Sequence, residues 1–203
     1  MGKILSVSVA AYNLESMIRQ CLDSFLDKDV LDRVEVLVTD DGSTDHTREI
    51  VAEYETKYPG SFKLIAQKNA GPGSTVNSGI AHATGKYFRM VDGDDWVNTS
   101  EMPAFLDYLE SHDIDMVCTS YCCVDHETGK KKLEMLQRPV MDKELTFNQS
   151  VEDLSLAMHN VTYKTSILKD NGIKLDNGFY TDLEYLLFPT PYIRTVVFLS
   201  QTI

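Results

Sequence analysis

Lys86-Tyr87-Phe88-Arg89-Met90-Val91-Asp92-Gly93-Asp94-Asp95-Trp96 is the stretch from which this chain is best read. Lys86 to Val91, just after Gly85, is an apolar run too short for a helix and suited to a strand. Three carboxylates, Asp92, Asp94 and Asp95, stand at its mouth. Asp92 and Asp94, one residue apart, suit a single hard divalent cation held through oxygen. Mg²⁺ and Mn²⁺ take few protein carboxylates and complete their shells with water and phosphate. The pair therefore points to a metal site and to a substrate carrying a diphosphate. A solvated acidic turn is the alternative that this run alone leaves open.

The segments before it share one rhythm. Ile4 to Ala10 reads as a strand, and Leu14 to Leu26 as a helix with Met17, Ile18, Cys21, Leu22 and Phe25 at helical spacing. Val34 to Val38 is a second strand, closed by Thr39-Asp40-Asp41-Gly42. A helix over Thr44 to Tyr58 comes next, ended by Pro59-Gly60. Phe62 to Ala66 is a third strand and Pro72 to Ala83 a third helix. Strand and helix alternate three times before Lys86, which predicts an α/β fold with a mostly parallel sheet and helices on both faces. Ligands of such sheets sit beyond the carboxyl ends of the strands. Ala11-Tyr12-Asn13, Asp40-Asp41-Gly42, Asn69 to Gly73 and Asp92 to Asp95 all fall there.

The second half is less regular. Met102 to Leu109 reads as a helix, Ile114 to Tyr121 as a strand, and His126 to Lys130 as a hairpin turn. Val151 to Met158, Thr165 to Lys169 and Leu183 to Phe188 read as short helices, and Thr195 to Leu199 as a strand. The expected organisation is a single domain over residues 1–203, with a nucleotide-type half to about residue 97 and an acceptor half after it. The chain stops at Ile203, soon after its last strand, which reads as a C-terminal truncation. Membrane association is expected only through a missing C-terminal part.

Composition narrows the function classes. A net charge of −12 lacks the basic footprint of a general nucleic-acid binder. An acidic protein still accepts an anionic diphosphate where a metal inverts the local field. No apolar run is long enough to span a bilayer, and Met1 to Leu5 lacks a signal-peptide pattern. Cys21, Cys118, Cys122 and Cys123 are then expected to be reduced, mostly buried thiols, and the location cytoplasmic, at most along the inner face of the membrane. A nicotinamide enzyme would place glycines directly after the first strand, where Ala10-Ala11-Tyr12-Asn13 stands, and no P-loop pattern occurs.

Five blocks in order carry a resemblance. They are Val7 to Asn13, Asp40-Asp41-Gly42-Ser43-Thr44-Asp45, Asn69 to Gly73 with Asn77-Ser78-Gly79, Ala83 to Tyr87, and Asp92-Gly93-Asp94-Asp95. Together they resemble the family 2 glycosyltransferases of GT-A fold, and a later block, Phe179 to Tyr185, extends the likeness over most of the chain. The resemblance implies sugar transfer from a nucleotide-sugar, a UDP-sugar first, to a saccharide or glycoconjugate acceptor, by metal-assisted displacement with inversion. It implies a role in cell-surface polysaccharide or glycoconjugate synthesis and a divalent cofactor, Mn²⁺ or Mg²⁺.

Residue by residue, Asp41 resembles the carboxylate that accepts from the uracil N–H, and Ala11 and Tyr12 the strand-end wall beside the base. Asn69, Gly71 and Asn77 resemble the loop that meets ribose or sugar. Asp92 and Asp94 resemble the DxD pair, with Asp94 on the cation and Asp92 on ribose or metal. Asp182 resembles the catalytic base. Two departures stand out. Val76 occupies a position where many relatives carry arginine, and Thr181 replaces a glutamate beside the base. Thr181-x-x-Glu184 also reads as a helix capping box. Two other readings remain: a nucleotide-sugar-binding domain without turnover, and a metal-dependent phosphohydrolase.

Overall fold

The computed structural model describes residues 2–125, 128–134, 138, 140–150, 156–178 and 180–203. The strands are β1 (Leu5–Ala11), β2 (Val34–Asp40), β3 (Phe62–Ala66), β4 (Tyr87–Asp92), β5 (Met116–Val124), β6 (Lys131–Glu134), β7 (Leu145–Thr146), β8 (Val161–Lys164) and β9 (Thr195–Thr202). The helices are α1 (Ile18–Asp23), α2 (Lys28–Arg33), α3 (Thr47–Lys57), α4 (Pro72–His82), α5 (Met102–Ser111), α6 (Phe147–Ser150), α7 (Thr165–Asp170) and α8 (Thr181–Leu187).

The strands form one sheet in the order β3-β2-β1-β4-β8-β5-β9-β7, with β6 paired to β5. β1 pairs in parallel with β2 and β4, β2 with β3, and β5 with β9. The antiparallel β8 sits between β4 and β5, so both of those strands point the same way. The mostly parallel α/β sheet expected from the sequence is thus present, with β6, β7 and β8 running against the rest.

Period-two alternation sorts the core into two layers. Leu5, Val7 and Val9 of β1 pack with α1, α3 and α5 on one face, together with Val36 and Val38 of β2. Leu37, Phe88 and Met90 face the other way, against Val76 and Ile80 of α4, Ile167 and Leu168 of α7, and Tyr185 of α8. On that second face β1 presents only Ser6, Ser8 and Ala10. A small strand surface lets α4 come close, and Gly79 completes the approach: a Cβ there would overlap the Ser8 side chain. The N-terminus of α4 is thereby held at the carboxyl end of the sheet, where the site lies.

Several elements differ from the sequence reading. The segment read as one helix over Leu14 to Leu26 is a turn followed by the short α1, and α2 was not foreseen. Asp27 caps α2 by accepting from the backbone N–H of Asp29 and Val30. Strands β5 and β6 pair as the hairpin reading requires, although its turn residues His126 and Glu127 lie outside the described residues. Most of the helix read over Val151 to Met158 also lies outside them, and Met158–Asn160 is a single 3-10 turn.

Candidate active site

Four strand ends build the site's floor. β1 leads into Ala11, Tyr12 and Asn13, and the loop after β2 is laced to it. Asp41 N donates to Ala11 O at 2.9 Å, Asn13 N to Ser43 Oγ at 3.0 Å, and Thr44 N to Asn13 Oδ1 at 2.8 Å. Asn13 adopts a left-handed φ of 53°, which asparagine tolerates better than most residues. Asp40 is fixed by Arg48, whose Nε and Nη2 donate to its Oδ2 at 2.9 and 2.7 Å.

Asp41 is 4% exposed and organises the next loop. Its Oδ1 accepts from Gln67 Nε2 at 2.7 Å and Ala70 N at 2.9 Å, and its Oδ2 accepts from Gly71 N at 3.0 Å. A carboxylate has about four acceptor positions, so Oδ2 keeps capacity for one further donor. Ala11, Tyr12, Asp41, Asn69 and Gly71, five residues singled out from the sequence, line one cavity of about 340 Å³. Tyr12 is 51% exposed there, an aromatic wall open to solvent.

Ala10, Pro72 and Thr75 are shared with a neighbouring cavity of about 470 Å³, so the two form one cleft. Asp92 and Asp182 both line this second chamber, together with Val76, Met90 and Met158. Asn177, Gly178 and Thr181 also line it. Among the described residues, no lysine or arginine lines either chamber, although Asp41, Asp92 and Asp182 all open on the cleft.

The turn after β4 carries the acidic run. Asp95 N donates to Asp92 O at 2.9 Å, and Gly93 N to Ala10 O at 3.1 Å. Gly93 is needed for that approach, since a Cβ would lie 2.7 Å from the Ala10 carbonyl oxygen. Ser24 anchors the next residues: its Oγ accepts from Val97 N at 3.2 Å, and its carbonyl accepts from Thr99 Oγ1 at 2.7 Å. Burial, then the charges of Asp95 and Asp94, push the Asp92 carboxyl up to about 6. Burial and Asp94 also raise Asp95, against the opposing effect of His159. Asp94 is exposed and lies outside the lining of both chambers.

Carboxylates crowded on one turn are a fitting place for a hard cation, and their donors are all oxygens. Among the described residues no three His, Cys, Asp or Glu side chains converge to hold a metal by themselves. A cation at Asp92 and Asp94 would need further oxygens from water and a bound diphosphate, which is how Mg²⁺ and Mn²⁺ are commonly held.

Asn77 stands apart from the cleft lining, and the capping-box reading needs correction. Asn77 lines neither chamber: its Nδ2 donates to Leu175 O at 2.7 Å and its Oδ1 accepts from Leu175 N at 2.9 Å, so both ends of the amide are engaged by the chain. Thr181 and Glu184 do not form a capping box. Tyr180 is the N-cap of α8, Thr181 Oγ1 donates to Gly178 O at 3.4 Å, and Glu184 Oε2 accepts from Asp176 N at 2.7 Å. Asp182 stands in the first turn of α8, which begins two residues before the helix read from Leu183. The sequence reading missed Thr75, Met90, Met158, Asn177 and Gly178 as lining residues. Pro72, Thr75 and Val76 sit three and four apart on α4, a spacing that marks one helix face. Met158 and Asn177 reach the cleft only through the tertiary fold.

The sequence profile of the family described as "Glycosyl transferase family 2" matches residues 6–172. The chain belongs to that family. EpsH of Bacillus subtilis is 36% identical to this family 2 chain over 126 residues, 62% of the chain and 36% of EpsH. The glycosyltransferase GlyA of Streptococcus pneumoniae is 30% identical over 125 residues, 62% of the chain and 18% of GlyA. Chondroitin synthase of Escherichia coli is 33% identical over 115 residues, 57% of the chain and 16% of the synthase. The matched segment spans about a third or less of each of these relatives.

Among solved structures, S. aureus TarS in complex with UDP-GlcNAc superposes with a TM-score of 0.78 at 24% identity, over 98% of this chain and 58% of TarS. The mannosyltransferase PcManGT of Pyrobaculum calidifontis, in complex with GDP-Man and Mn2+, gives 0.68 at 16% identity, over 98% of this chain and 55% of that one. These likenesses establish a shared GT-A architecture. No helix among the described residues is long and apolar enough to cross a membrane.

Proposed function

We propose that this chain is the donor-binding and catalytic part of a glycosyltransferase that moves a sugar from a UDP-sugar to an acceptor hydroxyl with inversion. One observation carries the reading: a single cleft holds Asp41 at one end and Asp92 with Asp182 at the other, with no lysine or arginine among the described residues of its lining. A diphosphate entering such a cleft needs its charge neutralised by something other than the wall.

In this reading the smaller chamber takes the nucleoside. The free acceptor position on Asp41 Oδ2 receives the uracil N–H, and Tyr12 and Ala11 cover the base. Asn69 and Gly71, in the loop that Asp41 holds, border the ribose. Asp94, with Asp92, would hold the divalent ion, which supplies Lewis-acid neutralisation of the departing diphosphate when bound. Asp182 removes the proton from the acceptor hydroxyl as oxygen attacks the anomeric carbon. The sugar–phosphate bond breaks on the opposite face, and UDP departs with the bonding pair. The UDP-GlcNAc of TarS and the GDP-Man and Mn2+ of PcManGT support a nucleotide-sugar and a cation in this architecture. The domain limits, the saccharide or glycoconjugate acceptor and a part in cell-surface polysaccharide synthesis belong to the same proposal.

Asp182→Asn tests it. Sugar transfer should be lost while UDP binding persists. Undiminished transfer would remove Asp182 from the mechanism, and slow UDP-sugar hydrolysis indifferent to any acceptor would replace transfer with hydrolysis.

A further inference from the structure

The segment that joins α7 to α8 lies across the first turn of α4. That approach needs glycine, since a Cβ on Gly73 would overlap the Asp176 carbonyl oxygen. Asn177 follows, and the same Cβ would lie 3.3 Å from its Oδ1, while a Cβ on Gly71 would lie 3.6 Å from its Cβ. Gly71 lines the smaller chamber, Asn177 the larger and Pro72 both, so Asn177 stands where the two chambers join. The two residues before it are pinned: Leu175 by the Asn77 amide, and Asp176 N by Glu184 Oε2 at 2.7 Å.

Among the described residues that line the larger chamber, Asn177 is the only one whose side chain carries an N–H group. Asp92 and Asp182 only accept hydrogen bonds when ionised. The two threonine hydroxyls are already spent, Thr75 Oγ1 donating to Pro72 O at 2.7 Å and Thr181 Oγ1 to Gly178 O at 3.4 Å. The Asn177 side chain is exposed and makes no hydrogen bond with the described residues. An ionised phosphate oxygen has no hydrogen to offer a carboxylate, but it accepts from an amide, and a hydrogen bond to a charged oxygen is of the stronger kind. We infer that Asn177 Nδ2 donates to the diphosphate of the nucleotide-sugar, at the phosphate next to the sugar. This rests on the donor-site reading above and adds to it a diphosphate contact supplied by the chain itself.

The test is calorimetric titration of the whole chain, in Mn²⁺, with UDP and with UMP, for the wild type, Asn177→Ala and Asn177→Leu. Leucine keeps the shape of the side chain and loses only its polar atoms. UDP should bind about tenfold or more weaker to both variants, as for a lost hydrogen bond to a charged group. UMP, which lacks the phosphate in question, should change by less than about twofold. The thermal midpoint of the free chain should stay at the wild-type value. UDP held by Asn177→Leu within about twofold of the wild type would overturn this inference alone, and so would an equal loss for UMP. No binding of UDP to the wild type would overturn the donor-site reading and this inference together.

Discussion

The Asn77 amide grips the backbone of Leu175 from both sides, Nδ2 at 2.7 Å from its carbonyl and Oδ1 at 2.9 Å from its N–H. It ties α4, which walls the cleft, to the segment that delivers Asn177, Gly178 and Asp182. On the proposed reading Asn77 acts as a positioning residue. Asn77→Ala removes two side chain–backbone bonds and should cost about 1–3 kcal/mol of stability, at about 0.5–1.5 kcal/mol each. Urea unfolding measures that cost. In steady-state transfer assays kcat should fall more than UDP affinity, because the clamp controls the side carrying Asp182.

Asp182→Asn should lower kcat by at least about 10²-fold, the usual lower bound for losing a positioned base. UDP affinity by titration should stay within twofold of the wild type.

The acid cluster makes a pH prediction. Asp92 sits near 6 in the folded chain, above the value of about 3.9 for a free aspartate. Folding thus takes up a proton between about pH 4 and 6, and stability falls as pH rises through that window. Asp92→Asn should raise the thermal midpoint at pH 7, with the gain shrinking towards pH 4. The same variant should lose Mn²⁺-dependent UDP binding, so a gain in stability would accompany a loss of function.

Gly79→Ala sets two effects against each other. Alanine favours a helix interior by about 1 kcal/mol over glycine. The added Cβ would, however, overlap the Ser8 side chain on β1, and forcing α4 off the sheet costs about 1–3 kcal/mol. The clash should win, giving a lower midpoint in thermal unfolding together with weaker UDP binding as Thr75 and Val76 shift.

Much of the fold was legible because the first half repeats one local pattern. Alternating residues in β1 and β2 and helical spacing in α3 and α4 each match what the element buries. α2 escaped notice because its six residues carry one buried side chain, Val30, too few to show a period. β8 escaped because Val161, Thr162 and Tyr163 are all buried, so no alternation survives between β4 and β5. Asn160-Val161-Thr162 looks like a glycosylation acceptor in sequence, yet Asn160 is buried with Nδ2 donating to Thr119 O at 2.7 Å. The smaller chamber was readable because its residues sit at strand ends. The larger chamber was not, because Met158 and Asn177 arrive from distant segments and no local pattern marks them. The bond that Asn77 makes is equally invisible in sequence, because its amide is taken by a backbone 98 residues away.

On the proposed reading, a divalent cation at Asp92 and Asp94 is what lets this acidic cleft accept a nucleoside diphosphate. Calorimetric titration of UDP into the wild type and Asp94→Asn, with Mn²⁺ and again with excess EDTA, measures that dependence. Binding to the wild type with Mn²⁺ should weaken by at least tenfold on chelation or in the variant. Equal UDP affinity under all these conditions would contradict a metal-held diphosphate.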